Sequence, residues 1–303
     1  MTAVRAMSAK PLPRKAILVV NTASRKGAEA FEPARERLIG AGVELVDARA
    51  VDDPEALQGE VRSAVARAPM VIVGGGDGSL SETVDHFLGT DTVFALLPLG
   101  TANSFARTLE IPLQLDGAVD VIANGEARRI DLAAINGDYF LNNAALGLAP
   151  VVAESVPAGL KRTLGRVGYL LWAGWSAASF RAFRLKIDDG ERTHRLWATE
   201  ARIANGRFHG GVELIESADL ESGDIVVQAV RGRSLARLGW SYLTSALKVA
   251  SRHESLCEFR GTRMRIDTRP RMRVSIDGEL GPETPFEAWA VPDAIYVAAP
   301  RGA

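Results

Sequence analysis

The sequence is poor in cysteine, in aromatic side chains and in histidine. Cys257 is the single cysteine among 303 residues, which excludes an internal disulfide and any cysteine-based metal cluster. Aromatic residues make up 6% of the chain, and the four histidines are scattered without metal-ligand spacing. The composition therefore predicts neither a disulfide scaffold nor a zinc site, and it is compatible with a reducing cytoplasm.

Long apolar runs and net charge are also lacking. The longest uncharged apolar segment, residues 167–180, has 14 residues, whereas a helix needs roughly 20 to cross a bilayer. Residues 1–14 are basic and lack the apolar stretch of a signal peptide, so we expect a flexible tail there. A net charge of −1 gives no reason to expect a nucleic-acid partner. These absences predict a cytoplasmic protein without a membrane span.

The chain is rich in hydrophobic residues, which make up 47% of it and suffice for two domains with cores of ordinary size. Apolar runs alternate with amphipathic segments up to residue 97, which is typical of an α/β domain with a parallel sheet. Strands are predicted at residues 15–20, 43–46, 71–73 and 93–97, and helices at 31–41, 54–68 and 80–88. After Ile130, short strand-like segments separated by turns, such as residues 188–190 and 205–206, predict an all-β second domain.

A glycine cluster follows the third predicted strand. Residues 71–82 read VIVGGGDGSLSE, with Gly74, Gly75, Gly76, Asp77, Gly78 and Ser79 at the turn. Glycine allows the main-chain N–H groups of such a turn to face a bound anion, and the helix that follows adds its positive N-terminal end. The stretch therefore predicts a phosphate site, the alternative being a tight turn without a ligand.

A second polar loop follows the next predicted strand. Residues 98–104 read PLGTANS, in which Gly100 permits a tight turn while Thr101 and Asn103 supply a hydroxyl and an amide. Asn21 ends the first strand in a similar way. The carboxyl ends of parallel strands form the usual ligand edge of such a sheet, so all three are candidate nucleotide contacts. A turn-forming role for Asn21 is equally consistent with its position.

Four stretches together carry a family resemblance: Asn21, GGGDGS at 74–79 with Glu82, PLGTAN at 98–103, and IDGE at 276–279. With them the chain resembles the diacylglycerol kinase catalytic-domain family, which includes bacterial soluble lipid kinases. The resemblance implies a nucleotide-binding α/β domain like that of NAD kinases, then an antiparallel β-sandwich, with the active site between them. We expect the first domain at residues 15–130, the second at 131–290, and residues 291–303 returning to the first domain.

The resemblance implies ATP-dependent, Mg²⁺-dependent phosphorylation of a hydroxyl on diacylglycerol or a similar lipid. Asp77 would orient its loop or take part in a network of Mg²⁺ and water. The residues expected to contact the nucleotide are Asn21, Gly74, Gly75, Gly76, Asp77, Gly78, Ser79, Glu82, Gly100, Thr101 and Asn103.

Asp277 and Glu279 flank Gly278 near the end of the chain. In a strand, residues i and i+2 share a face, so both carboxylates are expected to point into one cleft. A carboxylate within about 3 Å of a lipid hydroxyl can accept its proton as phosphoryl transfer proceeds. Both residues are candidates for the base. The alternative interpretation is an ordinary Asp-Gly hairpin turn.

Three serines depart from the family pattern. Ser81 and Ser104 stand where the family often has asparagine and aspartate. The Ser222-Gly223 pair stands where the family commonly has an Asp-Gly pair associated with a structural Mg²⁺, which leaves Asp219 and Asp224 as candidate metal ligands.

Two alternative functions remain open: a NAD kinase acting on a soluble dinucleotide, and a nucleotide- or lipid-binding module without turnover.

The expected partners are ATP, a lipid at the inner face of a membrane and a second copy of the chain. Apolar residues 164–183 and 235–249 could line an acyl-chain groove, although such stripes are more often core. Six arginines lie within 14 residues and largely alternate, so a face of them could rest on anionic headgroups. A solvated strand face is an equal alternative. The six are Arg260, Arg263, Arg265, Arg269, Arg271 and Arg273.

Overall fold

The computed structural model describes residues 10–147, 181–232 and 256–302. Most of the predicted N-terminal tail and the predicted acyl-groove segments, residues 164–180 and 235–249, lie outside these described residues. No helix in the described ranges combines the length and the hydropathy needed to span a bilayer.

The elements of the first half alternate strand and helix. They are β1 Lys10–Pro11, β2 Lys15–Asn21, α1 Arg25–Gly40, β3 Glu44–Val51, α2 Pro54–Val65, β4 Met70–Gly75, α3 Asp77–Val84 followed by a 3₁₀ turn at Asp85–Phe87, β5 Val93–Pro98, α4 Ser104–Thr108 and α5 Leu115–Asn124.

The elements of the second half are strands. They are β6 Glu126–Ile135, β7 Asp138–Phe140, β8 Asn143–Gly147, β9 Phe183–Asp188, β10 Thr193–Ala204, β11 Phe208–His209, β12 Val212–Glu213, β13 Ile225–Arg231, β14 Leu256–Gly261, β15 Arg263–Arg269, β16 Arg273–Ile276, β17 Glu279–Glu283 and β18 Phe286–Ala299.

The N-terminal domain is an α/β domain, as the alternating pattern predicts. Its strands are parallel in the order β3-β2-β4-β5. α1 packs with α5, and α2 packs with α3, so two helical layers cover the sheet. Every residue of β4 and β5 is buried, because strands covered on both faces need apolar side chains on both. The carboxyl ends of β2, β4 and β5 therefore meet at one edge.

Two predicted boundaries differ from the observed ones. α1 begins at Arg25, six residues before the predicted start, because Ser24 caps it by accepting a 3.1 Å hydrogen bond from the Gly27 N–H. β3 continues to Val51, five residues beyond its predicted end. It is the last strand of the sheet among the described residues, and the polar Asp47 and Arg49 within it hide the strand pattern.

The second domain is built from antiparallel strands. They are ordered β17-β16-β8-β10-β9-β15-β18, and β13 pairs with both β10 and β14. Alternate residues face its core: on β9 Phe183, Leu185 and Ile187 are buried, and on β15 Met264 and Ile266 are buried. The outward positions of the same strands are charged, as the period of a half-buried strand requires.

β6 and β18 join the two domains into one continuous sheet. β18 runs antiparallel to β6 over most of its length, and near its end Tyr296 and Val297 pair in parallel with Val93 and Phe94 of β5. The predicted domain boundary at residue 130 falls inside β6. A hydrogen-bonded ladder therefore crosses the joint between the domains.

Candidate active site

The first glycine loop, residues 74–79, connects β4 to α3. Gly76 caps the helix with extended backbone, and its carbonyl accepts the Leu80 N–H at 3.1 Å. A Cβ on Gly75 would lie 2.6 Å from the Ser79 Cβ, so a larger residue there would displace the first turn of the helix. The loop thus holds the N-terminus of α3, with its positive partial charge, at the ligand edge of the sheet.

The second glycine loop, residues 98–103, packs directly against the first. The Leu99 N–H donates to the Gly75 carbonyl at 2.9 Å. A Cβ on Gly100 would lie 2.5 Å from the Gly76 Cα, which is main chain and cannot move aside cheaply. Glycine is therefore required at residue 100 by the close approach of two backbones.

Asp77 and Asn103 hold the shape of these loops. The Asp77 Oδ1 accepts the Phe105 N–H at 3.0 Å and so caps α4 from the neighbouring loop. Asn103 has a left-handed φ of 48°, and its Oδ1 accepts the Gly100 N–H at 2.8 Å. Thr101 is exposed beside them. The observed contacts of Asp77 and Asn103 are thus to the main chain of the second loop.

Asn21 lies at the same edge and contacts the first loop. Its Nδ2 donates to the Ser79 Oγ at 2.8 Å, which ties the end of β2 to α3. Lys26, which the sequence patterns did not single out, places its Nζ 3.5 Å from the Gly100 carbonyl oxygen. Its ammonium is a positive charge at the edge where both glycine loops end.

Asp277 and Gly278 form the two-residue turn of the β16–β17 hairpin. Both have positive φ, 46° and 102°, and Ile276 pairs with Glu279 across the turn, as in a type I′ hairpin. The premise that Asp277 and Glu279 share one face of a strand is therefore wrong. The turn nevertheless directs both side chains toward α3.

The Asp277 carboxylate binds four donors. Oδ2 accepts the Ser81 hydroxyl at 2.8 Å and the Leu141 N–H at 2.9 Å. Oδ1 accepts the N–H groups of Asn142 at 3.3 Å and Asn143 at 3.1 Å. Burial raises the pKa of this carboxyl above its ordinary value, and the four hydrogen bonds work against that rise. Asp277 therefore ties α3 to the start of β8.

Glu279 and Glu82 form a carboxylate pair across the domain joint. Burial raises the pKa of Glu82, and the neighbouring Glu279, which shares a hydrogen bond with it, raises it further. Glu279 itself is solvent-exposed. The charge of Glu279 thus adds to burial in favouring the protonated form of Glu82.

The β11–β12 hairpin makes polar contacts at this site that the sequence patterns did not predict. Asn143 uses its side chain on the β11–β12 hairpin, accepting from the His209 Nδ1 and donating to the Phe208 carbonyl at 3.1 Å. Burial, followed by the charge of Arg202, lowers the pKa of His209 to about 4, so its ring is neutral at pH 7. The Ser104 Oγ accepts the Gly211 N–H at 3.1 Å. The hairpin therefore links the second glycine loop to the Asp277 turn.

Asp219 and Asp224, the predicted metal ligands, belong to a separate cluster. The Asp224 carboxylate accepts Arg260 at 3.1 Å and the Ser222 hydroxyl at 2.6 Å, while the Asp219 Oδ1 accepts the Glu221 N–H at 3.0 Å. Among the described residues, no three His, Cys, Asp or Glu side chains lie close enough to hold a metal ion. Both carboxylates therefore already accept hydrogen bonds from groups of the protein itself.

The site thus has two sides. Asn21, the two glycine loops and Lys26 lie on the N-terminal domain, and the β16–β17 turn with Asp277 and Glu279 faces them from the second domain. Ser81 and Glu82 of α3 contact the turn. The arrangement can hold an anion with main-chain groups and accept a proton with a carboxylate.

Known proteins match the chain along most of its length. The diacylglycerol kinase catalytic domain matches residues 15–135, and the YegS C-terminal NAD kinase beta sandwich-like domain matches residues 143–299. A diacylglycerol kinase of Staphylococcus haemolyticus is 26% identical over 77% of this chain and 71% of that protein. A protein of Chromohalobacter salexigens named "Probable lipid kinase YegS-like" is 29% identical over 77% and 76%.

Solved structures share the fold. A diacylglycerol kinase from Bacillus anthracis superposes with a TM-score of 0.73 at 17% identity and covers 97% of this chain and 98% of its own. A second structure from that organism has a TM-score of 0.79 at 22% identity, covering 96% and 99%. The two matched domains, which together span residues 15–135 and 143–299, make the chain a member of the diacylglycerol kinase catalytic-domain family of lipid kinases.

Proposed function

We propose that the chain transfers the γ-phosphoryl group of ATP to the hydroxyl of diacylglycerol or a similar lipid. One observation carries the proposal: the Asp277–Gly278 turn docks on α3 and brings Glu279 beside Glu82. α3 begins in the first glycine loop. Phosphoryl transfer needs a phosphate cradle and a proton acceptor in one cleft, and these two elements supply them.

The nucleotide side works through main-chain groups. The N–H groups of the first glycine loop and the positive end of α3 bind phosphate oxygens. Lys26 adds a full positive charge near the second loop. Asp77 and Asn103 are positioning residues, because their side chains hold the two loops in register.

Glu279 takes the proton of the attacking hydroxyl. Asp277 is unsuited to that role, because its two oxygens already accept four hydrogen bonds from Ser81 and residues 141–143. Glu279 is exposed and lies beside Glu82 at the joint between the domains. Asp277 is therefore a positioning residue that holds the turn against α3.

A divalent cation accompanies the nucleotide in this proposal. Asp77 and Glu82 project from α3 beside the first glycine loop, and their carboxylates have the oxygen chemistry that Mg²⁺ prefers. The cation would offset the negative charge of the phosphates. The protein's part is to hold the loops and carboxylates around that charge.

In this proposal the second domain, which receives the lipid, binds the cytoplasmic face of a membrane. All six arginines of the predicted set are exposed. Arg263 and Arg265 are paired with Glu287, whereas Arg269 lies beside Arg184 of β9, so positive charge concentrates at that end of the two strands. Anionic headgroups attract such a surface by about 1 kcal/mol per basic residue. Arg269→Glu should then reduce sedimentation with anionic vesicles, most clearly at low salt.

The proposal also includes a homodimer formed through β3. A groove of about 400 Å³ runs between α1 and this last strand of the sheet, and its Ile39 and Val46 are each 52% exposed. Glu32, Arg35 and Asp47 line it, so the groove carries charges of both signs, as a self-complementary twofold interface requires. Light scattering of Val46→Lys against the unmodified protein tests it, the dimer being lost in the variant.

The experiment for the reaction is a transfer assay with labelled ATP on short-chain diacylglycerol and on NAD in parallel. We expect label in the lipid phase, and its loss in Glu279→Gln. Label in NAD would favour the soluble-substrate alternative. Binding of ATP without transfer to any acceptor would favour a module without turnover.

A further inference from the structure

The acidic loop, residues 217–224, has main-chain oxygens that converge on one side chain. The Ser222 hydroxyl lies 2.9 Å from the Asp219 carbonyl oxygen and 3.4 Å from that of Asp224. The same hydroxyl lies 2.6 Å from the Asp224 Oδ1. Three oxygen acceptors therefore surround a single hydroxyl hydrogen.

Converging carbonyl and carboxylate oxygens are the kind of donor set that binds a hard cation. A cation at this point would meet a neutral hydroxyl from Ser222 and the Asp224 carboxylate, which already binds Arg260. The single hydrogen of that hydroxyl can be donated to one of the converging oxygens at a time, and the shortest of the three contacts, 2.6 Å, is to the Asp224 Oδ1.

Arginines supply the positive charge around the loop. Arg260 contacts the Asp224 carboxylate at 3.1 and 3.3 Å and also donates to the Ser217 carbonyl. Arg128 lies 3.1 Å from the Glu221 carboxylate. Arg207 donates to the Ala218 carbonyl at 3.1 Å. Three guanidinium groups from three parts of the chain thus bind one loop and would repel a cation there.

A buried aspartate ties the same loop to the domain joint. Asp131, on β6, is 1% exposed, and its carboxylate accepts the N–H groups of Gly223 at 2.6 Å and Asp293 at 2.9 Å. Its own N–H donates to the Leu220 carbonyl at 2.6 Å. The loop also lines a cavity of about 250 Å³ shared with Thr108 at the end of α4. The conformation of the acidic loop is therefore coupled to the position of β6, which joins the two domains.

From these contacts we infer that the acidic loop is a metal-independent clamp. Ser222 and three arginines hold its carboxylates and carbonyls in place, the role that a bound divalent cation would otherwise have. The inference goes beyond the proposed function and does not depend on it, because its test reads stability and metal content instead of activity.

The test compares thermal unfolding of the nucleotide-free protein in EDTA and in millimolar Mg²⁺. We expect the same melting temperature in both and less than stoichiometric bound metal in the purified protein. A melting temperature that falls in EDTA and returns with Mg²⁺ would overturn the inference.

Ser222→Asp sharpens the test by adding a carboxylate where the main-chain oxygens converge. This variant should acquire a melting temperature that rises with Mg²⁺. Ser222→Ala should melt below the unmodified protein and ignore Mg²⁺. Ser222→Asn is the matched control, with an uncharged amide at the same point and no response to Mg²⁺. An Mg²⁺ response missing from Ser222→Asp, or equal in Ser222→Asn, would contradict the place given to Ser222.

Discussion

The two sides of the cleft use different chemistry. The glycine loops offer main-chain N–H groups, and their side-chain contacts include Asp77 with Phe105, 28 positions apart, and Asn21 with Ser79, 58 positions apart. The β16–β17 turn offers carboxylates, and Asp277 contacts partners 136 and 196 positions away. Anion binding thus follows from local backbone geometry, whereas proton transfer depends on side chains that only the complete fold brings together.

The largest expected effect separates the two carboxylates of the turn. Glu279→Gln should lower kcat by about 10²- to 10⁴-fold, the usual worth of a positioned base, with little change in ATP affinity or melting temperature. Asp277→Asn should lower the melting temperature, because one of the two acceptor oxygens becomes an NH₂ group and the N–H groups that it served, either that of Leu141 or those of Asn142 and Asn143, lose their acceptor. Each buried donor left without an acceptor costs about 1–3 kcal/mol.

Steady-state kinetics, ATP titration calorimetry and thermal unfolding of both variants check this. The two carboxylates would exchange roles if Glu279→Gln kept normal turnover while Asp277→Asn lost turnover at unchanged stability. Normal turnover in both variants would remove the base from this turn altogether.

The next prediction breaks the contact between the glycine loops. Gly100→Val should weaken ATP binding by about 100-fold, roughly 3 kcal/mol, because its Cβ would approach the Gly76 Cα within 2.5 Å. Gly59→Ala is the control, since nothing lies within 4 Å of a Cβ at that position on α2. Calorimetric ATP titration measures both, and unchanged affinity in Gly100→Val would show that the loops do not act together.

Asp77 distinguishes positioning from cation binding. Asp77→Ala removes the cap on α4 and should abolish turnover in a folded protein, as circular dichroism would verify. Asp77→Asn keeps an oxygen that accepts the Phe105 N–H but removes the charge. Turnover close to normal in Asp77→Asn would assign a purely structural role, and loss in both variants would assign Asp77 to the cation as well.

The glycine side could largely be predicted from the sequence, because its signals are local. The apolar run of β4 and the glycines after it predict the strand, the turn and the helix of the first loop without knowledge of the rest. Lys26 escaped notice because a lysine at the start of a helix has no distinctive pattern. Its proximity to Gly100 appears only when β2 and β5 are placed in one sheet.

The turn side could be predicted only in part. IDGE identifies the carboxylates, but Asp277 is held by main-chain N–H groups, which carry no sequence signal. Asn205 lies in the predicted turn between β10 and β11, but no sequence pattern indicated that its buried amide donates to the carbonyls of Asp131 and Leu141. Ser81, a departure from the family pattern, binds Asp277.

The smallest expected effect concerns pH. Because the pKa of Glu82 is raised in the folded protein, its contribution to stability is present below its ordinary value of 4.5 and is lost as the pH rises through the raised value. Glu82→Gln should therefore melt higher than the unmodified protein at pH 7, with the difference vanishing near pH 4. Glu36→Gln, exposed on α1, is the control and should show no such trend.

Mass spectrometry of a total lipid extract incubated with the protein, ATP and Mg²⁺ tests the central claim most directly. The account predicts one new phosphorylated lipid, formed in step with ADP and missing when Glu279→Gln replaces the unmodified protein. An extract left unphosphorylated by a protein that binds ATP, or an equal yield from Glu279→Gln, would contradict it.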